Sequence, residues 1–158
     1  MSNLISEKAG LPPGTLIHIG DKKTDLSHIA VIDYGIDSFT KKLDFQVADC
    51  SQFLNKFSKS WINVDGLNQV EVISQIGDVF GLHPLLLEEV LNTRHRPKFE
   101  EFDEHLFVVL KMIGINSDNS SIVIEQLSLV LGDSWIISFQ EQEGDIFDGL
   151  RERMEVNK

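Results

Sequence analysis

"HLFVVLKMIGINSDNSSIVIEQLSLVLGDSWIISFQ", residues 105–140, decides the fold of this chain. In "HLFVVLKMIGI", "SIVIEQLSLVL" and "SWIISFQ" the apolar side chains follow an alternating rather than a helical period, as strands on a sheet do. The polar loop "NSDNS" separates the first two runs, and Gly132-Asp133 stands between the second and third. That dipeptide reads as a two-residue hairpin turn of the kind that accepts positive φ, so the second and third strands should pair antiparallel.

Upstream, "EEFDEH" (Glu100 to His105) puts four acids at the start of this meander. Such a cluster suits a solvated sheet edge that discourages further strand pairing. Before it lies "GLHPLLLEEVLNTRHRPK", residues 81–98, in which Pro84 suits the first position of a helix because its missing N–H costs nothing there. Leu85, Leu86, Leu87, Val90 and Leu91 form the buried side of that helix, and Asn92 and Pro97 end it. A preceding helix carries Val72, Ile73, Ile76, Val79 and Phe80 as one apolar stripe and stops near Gly81. Asn68, three residues before Glu71, resembles the first half of a capping box for it.

Further toward the N-terminus, "WINVDGL" reads as a strand and "DCSQFLNKFSKS" as a short helix capped by Asp49, with Phe53, Leu54 and Phe57 at helical spacing. After a Pro-Pro-Gly turn, Thr15 to Ile19 and "HIAVIDYG" read as two strands of a hairpin. At the other end, "DIFDGLRERM" places Phe147, Leu150 and Met154 on one helical face, with no stop signal before Lys158. Strands and helices alternate early and a strand meander follows late. The expected fold class is therefore α/β (α+β): one domain over residues 1–158, a mixed parallel/antiparallel sheet with helices on both faces.

Composition narrows the function. The 158 residues, 42% hydrophobic and 25% charged, suit one globular domain. A formal net charge of −11 repels a phosphate backbone and an anionic membrane surface alike, which argues against nucleic acid as a partner. Cys50 is the only cysteine, so neither an intrachain disulfide nor a Cys-x-x-Cys site can form, and a reducing compartment fits. The start "MSNLISEKAG" has no apolar signal core, and runs such as Leu106 to Leu110 fall far short of the ~20 residues a membrane helix needs.

No nucleophile elbow, P-loop, His-Glu-x-x-His, EF-hand loop or glycine-rich dinucleotide turn is present, which removes the main support for an enzyme. His83, His95 and His105 are not spaced to share one helical face, and His83 reads as the boundary residue of the helix begun by Pro84. Arg94, Arg96 and Lys98 should face the neighbouring acids in exposed pairs worth ~0–1 kcal/mol each. Trp61 and Trp135 sit within apolar alternation and read as core. Glu88 and Glu89 remain. Adjacent helix positions diverge by about 100°, so at most one acid shares the apolar face and the two cannot chelate an ion alone. In isolation they read as two solvated helix acids.

"GLPPGTLIHIG", "WINVDGL", "FGLHPLLLEEVLNTRHRPKFEEFDEHLFVVLKM" and "EQLSLVLGDSWIISFQEQEGDIFDGLRERM" together resemble, in order and spacing, the N-terminal cytoplasmic domain of the CorA family of divalent-cation channels. The block H-P-L-x-L-E-[DE]-x-L-N-x-x-x-R-P-K is the specific part of that resemblance. It implies a homopentamer at the cytoplasmic face of the cell membrane. A stalk helix and transmembrane helices with a Gly-Met-Asn motif would complete it, and this sequence contains none of them. It also implies a regulatory Mg²⁺ (or Co²⁺) site between protomers that uses the acid aligned with Glu89, with Glu88 beside it, and metal binding that favours the closed state. Glu89 stands where the family often has Asp. The alternatives are the equivalent domain of a zinc-transporting relative and a free-standing acidic interaction module.

Overall fold

The computed structural model describes residues 8–156 apart from residues 55, 103, 117 and 119. Asp103 of the acidic cluster and two residues of the "NSDNS" loop thus lie outside the described residues. Seven strands form one sheet: β1 (His28–Tyr34), β2 (Phe39–Lys42), β3 (Lys59–Asp65), β4 (Lys98–Phe102), β5 (His105–Ile115), β6 (Ile122–Leu131) and β7 (Trp135–Gln140). Their order is β2-β1-β3-β7-β6-β5-β4. All neighbours pair antiparallel except β3 and β7, which run parallel from Ser60↔Trp135 to Asp65↔Gln140. That pair needs a crossover, and the connection that supplies it begins with two helices and continues through β4, β5 and β6.

Helix α1 (Val70–Phe80) ends at Gly81, whose φ of +65° is the left-handed conformation that closes a helix without a Cβ penalty. Helix α2 (Pro84–Leu91) begins with its proline, and the Nδ1 of His83 accepts the Leu85 N–H at 3.1 Å. The expected boundary role of His83 is therefore seen. Ile73, Ile76 and Phe80 of α1 and Leu86, Leu87, Val90 and Leu91 of α2 are buried in one core with Ile29, Val31, Ile62, Val64, Phe107, Val109, Val130, Ile137 and Phe139 of the sheet. A 3-10 helix, Val47–Phe53, adds Cys50 and Phe53 to the same core.

The opposite face of the sheet meets the third helix, α3 (Asp148–Val156). Phe147 packs edge-on against Trp61 at 5.7 Å between ring centroids, and the Arg151 guanidinium lies 4.7 Å from the Trp61 ring centre. Beneath α3 the sheet is polar: Ser138 donates to Asn63, and Gln140 donates to Asn63, Asp65 and Asp145. Helices thus cover both faces, but unequally, since α3 contributes no buried residue. At the ends of β5 and β6 that meet the connecting loop, Ile113, Ile115, Ile122 and Ile124 are exposed as facing pairs.

Several local expectations are corrected. Thr15 to Ile19 is not a strand; Ile19 makes a single parallel bridge to Asn92, and the hairpin partner of β1 is β2. The apolar residues there instead serve packing, with Leu16 against the core and Ile19 buried. Asn68 does not cap α1, whose N-cap is Gln69, because its amide donates to the Thr24 carbonyl. Asp49 lies inside the 3-10 helix, whose N-cap is Gln46. The β6–β7 turn falls one residue later than expected. Gly132 N–H donates to the Trp135 carbonyl at 3.0 Å, leaving Asp133-Ser134 at the tip with no positive φ at either. A strand was also missed: Lys98–Phe102 pairs with β5 and forms the sheet edge, which is where the acids of this stretch lie.

Candidate functional site

Burial of Leu86, Leu87, Val90 and Leu91 leaves Glu88 and Glu89 on the outer flank of α2, with side chains 24% and 25% exposed. Neither is a freely solvated acid. Lys8 Nζ donates to Glu88 Oε1 at 2.6 Å, and the Gly14 N–H donates to Glu88 Oε2 at 2.6 Å. Lys8 is the largest influence holding the Glu88 carboxyl below its ordinary value; burial opposes it and the Gly14 N–H assists. Gly14 can come this close because it has no side chain: at its φ of +82° a Cβ would lie 3.1 Å from Pro84 Cβ. Farther on, Ile19 N–H donates to the Leu91 carbonyl at 2.8 Å and Thr93 N–H to the Ile19 carbonyl at 2.9 Å. The segment 8–20 therefore runs beside α2.

Glu89 is held from the other side. Its Oε2 lies 2.6 Å from Lys98 Nζ and 2.9 Å from His95 Nε2, and Lys98 reaches Glu100 Oε2 at 3.2 Å. Burial works against the Lys98 charge, but the Glu89 and Glu100 carboxylates outweigh it and hold the ammonium above its ordinary value. Burial dominates at His95 and lowers it despite the attraction of Glu89. Lys98 thus meets Glu100 as expected, but it is partly buried and its shorter contact is to Glu89. Lys8 and Gly14 were missed: they lie 80 and 74 residues from Glu88, and no local pattern links them.

Carboxylate oxygens suit a hard cation such as Mg²⁺. One chain brings only two, on adjacent residues and each already paired with a base. Among the described residues no group of three or more His, Cys, Asp or Glu side chains is placed to hold a metal. The donors fit the ion in kind, therefore, but need oxygens from outside the chain. The three histidines are not gathered: His83 lies near Phe102, His105 near Trp135 and His95 at Glu89. Trp135 is buried as expected, whereas Trp61 lies on the outer face under α3.

A second pair of acids has a different duty. Where β6 and β7 diverge, Glu141 Oε1 accepts the Gln126 N–H, and Glu125 Oε1 accepts the N–H groups of Glu141 and Gln142. Burial pushes the Glu125 carboxyl up. These carboxylates replace missing ladder hydrogen bonds and clasp the sheet.

Comparison with known proteins identifies the family. The family model described as "CorA-like Mg2+ transporter protein" matches residues 58–158. The cobalt/magnesium transport protein CorA of Thermotoga maritima is 38% identical over 154 residues, covering 98% of this chain and 44% of that protein. The chain thus spans less than half the length of that relative. Among solved structures, the ZntB cytoplasmic domain of Vibrio parahaemolyticus matches with a TM-score of 0.64 at 14% identity, over 83% of this chain and 50% of that one. The soluble domain of CorA from Methanocaldococcus jannaschii matches with a TM-score of 0.57 at 15% identity, over 82% and 47%. Those two show the fold alone, and one fold thus serves proteins of both names. The family match and the Thermotoga relative go further: the chain belongs to the family of CorA-like Mg²⁺ transporter proteins.

Proposed function

We propose that this chain is the cytosolic regulatory part of a CorA-like divalent-cation channel, assembled as a homopentamer in the full-length protein. Glu88 and Glu89 lie where neighbouring protomers meet, and Mg²⁺ bound between protomers favours the closed state. The observation that carries the reading is the outer flank of α2: both acids stay partly exposed beside a buried leucine face, open to a neighbour. The matched family model supports a transporter, and the absent enzyme motifs agree with a non-catalytic role. No helix among the described residues is long and apolar enough to cross a membrane.

The bound ion supplies charge: a divalent cation between two acidic surfaces turns their repulsion into attraction. A bridge that prefers the closed form tenfold contributes ~1.4 kcal/mol. Five such bridges give ~7 kcal/mol, above the ~5.5 kcal/mol that swings a two-state equilibrium from 1:99 to 99:1. Weak sites can therefore sense an abundant ion.

Current through the full-length channel, recorded against cytosolic Mg²⁺, tests the reading. Glu89→Lys replaces a ligand with a repelling charge, so closure should require more Mg²⁺ while the open pore still conducts. Glu88→Lys should act in the same direction. An unchanged Mg²⁺ dependence in Glu89→Lys removes that residue from regulation.

A further inference from the structure

We propose that Lys8 is a tethered cation standing at Glu88 in place of a divalent ion, so that ion binding there releases residues 8–13 from α2. The inference rests on the reading of Glu88 as a cation ligand. Its geometry is specific: Glu88 Oε1 is occupied by the Lys8 ammonium and Oε2 by the Gly14 N–H. A backbone N–H carries no net charge and can stay. The ammonium cannot, because a second cation on an oxygen already 2.6 Å from Nζ would face strong repulsion at short range.

Little else fastens this stretch. Residues 9–13 are exposed, and their backbone bonds are local, from Leu11 N–H to the Lys8 carbonyl and from Thr15 N–H to the Pro12 carbonyl. The anchored part begins at Gly14, whose N–H stays on Glu88, and continues through Leu16, which packs on the core, to Ile19, which bonds to Leu91 and Thr93. Release should therefore stop near Gly14. Glu89 offers no such lever, since both of its bases are close in sequence, His95 in the connection that follows α2 and Lys98 at the start of β4. Among the described residues, only the Glu88 contacts tie a distant part of the chain to these two acids.

The test uses this chain, isotope-labelled, with MgCl₂ titrated at constant ionic strength and Gly14 as the local amide reporter. Lys8→Gln is compared with Lys22→Gln, which changes net charge equally but disrupts only the exposed pair with Asp25 at 2.5 Å. Lys8→Gln should bind Mg²⁺ about two- to fivefold more tightly than Lys22→Gln, the gain expected from freeing Glu88 of a partly exposed ion pair. In the wild type, Mg²⁺ should also speed hydrogen exchange at Leu11 and Thr15. Equal affinities of the two variants, with Glu88→Gln weakened, would overturn the Lys8 latch and leave Glu88 as a ligand. If Glu88→Gln and wild type respond to Mg²⁺ identically, the cation reading of Glu88 falls and takes the latch with it.

Discussion

Arg151→Ala should destabilise the fold far more than a surface substitution. Asp145, whose side chain is only 2% exposed, accepts both Nη atoms of Arg151, the Phe147 N–H at 2.7 Å and Gln140 Nε2 at 3.2 Å. Burial by itself would raise the Asp145 carboxyl, but Arg151 and the Phe147 N–H outweigh it and hold it below the usual range. Removing one partner of a buried pair costs about 3–5 kcal/mol. The guanidinium is 15% exposed, so water offsets part of that, while loss of its contact with Trp61 adds about 0.5–1 kcal/mol. The net expectation is about 2–4 kcal/mol, a fall in Tm of roughly 5–15 °C for a chain of this length. Because the folded-state value of Asp145 is depressed, its contribution is fully present above the unfolded value of about 4 and is lost as pH falls through the folded value. In Arg151→Ala burial dominates and the carboxyl protonates more readily, so the gap from wild type should narrow between pH 7 and pH 4. Asp145→Asn combined with Arg151→Met removes both charges and should recover at least half the loss. Urea unfolding followed by tryptophan fluorescence reads all three. A gap below 0.5 kcal/mol, on the order of an ordinary surface substitution, or one that does not change with pH, would refute the pairing argument.

Cys50, buried and with its thiol pushed up to about 11 by burial and then by the Asp49 charge, should not react with a disulfide-exchange reagent at about pH 8 until the protein unfolds. Gly66→Ala should cost at least about 2 kcal/mol in denaturant unfolding, because Gly66 has φ +92° and a Cβ there would lie 2.3 Å from the Leu26 carbonyl oxygen. In sedimentation at micromolar concentration and without metal, the chain should be monomeric or weakly associated, since its net charge of −11 opposes assembly. A stable pentamer under those conditions would contradict this.

The parts of the fold legible in the sequence are those whose burial has a clear period. α1 and α2 repeat apolar residues on one face, and β5, β6 and β7 alternate under them. Thr15 to Ile19 misled because a segment packed along a helix also needs apolar side chains, and a single bridge leaves no pattern distinct from a strand. β4 escaped because its residues are mostly charged, as befits a sheet edge, so alternation of hydrophobicity is faint. At the candidate site the acids were legible by their position after a leucine run. Their state was not, since Lys8 reaches Glu88 only through the tertiary fold.

Controlled proteolysis of the full-length protein in Mg²⁺ and in chelator, for wild type and for Glu88→Gln/Glu89→Gln, tests the central claim most directly. Cation bridges at these acids predict that Mg²⁺ protects this part of the wild type, and that the double variant loses this protection while keeping its fold in circular dichroism. Equal Mg²⁺ protection of both proteins would show that closure is governed elsewhere, and the assignment of Glu88 and Glu89 would be wrong.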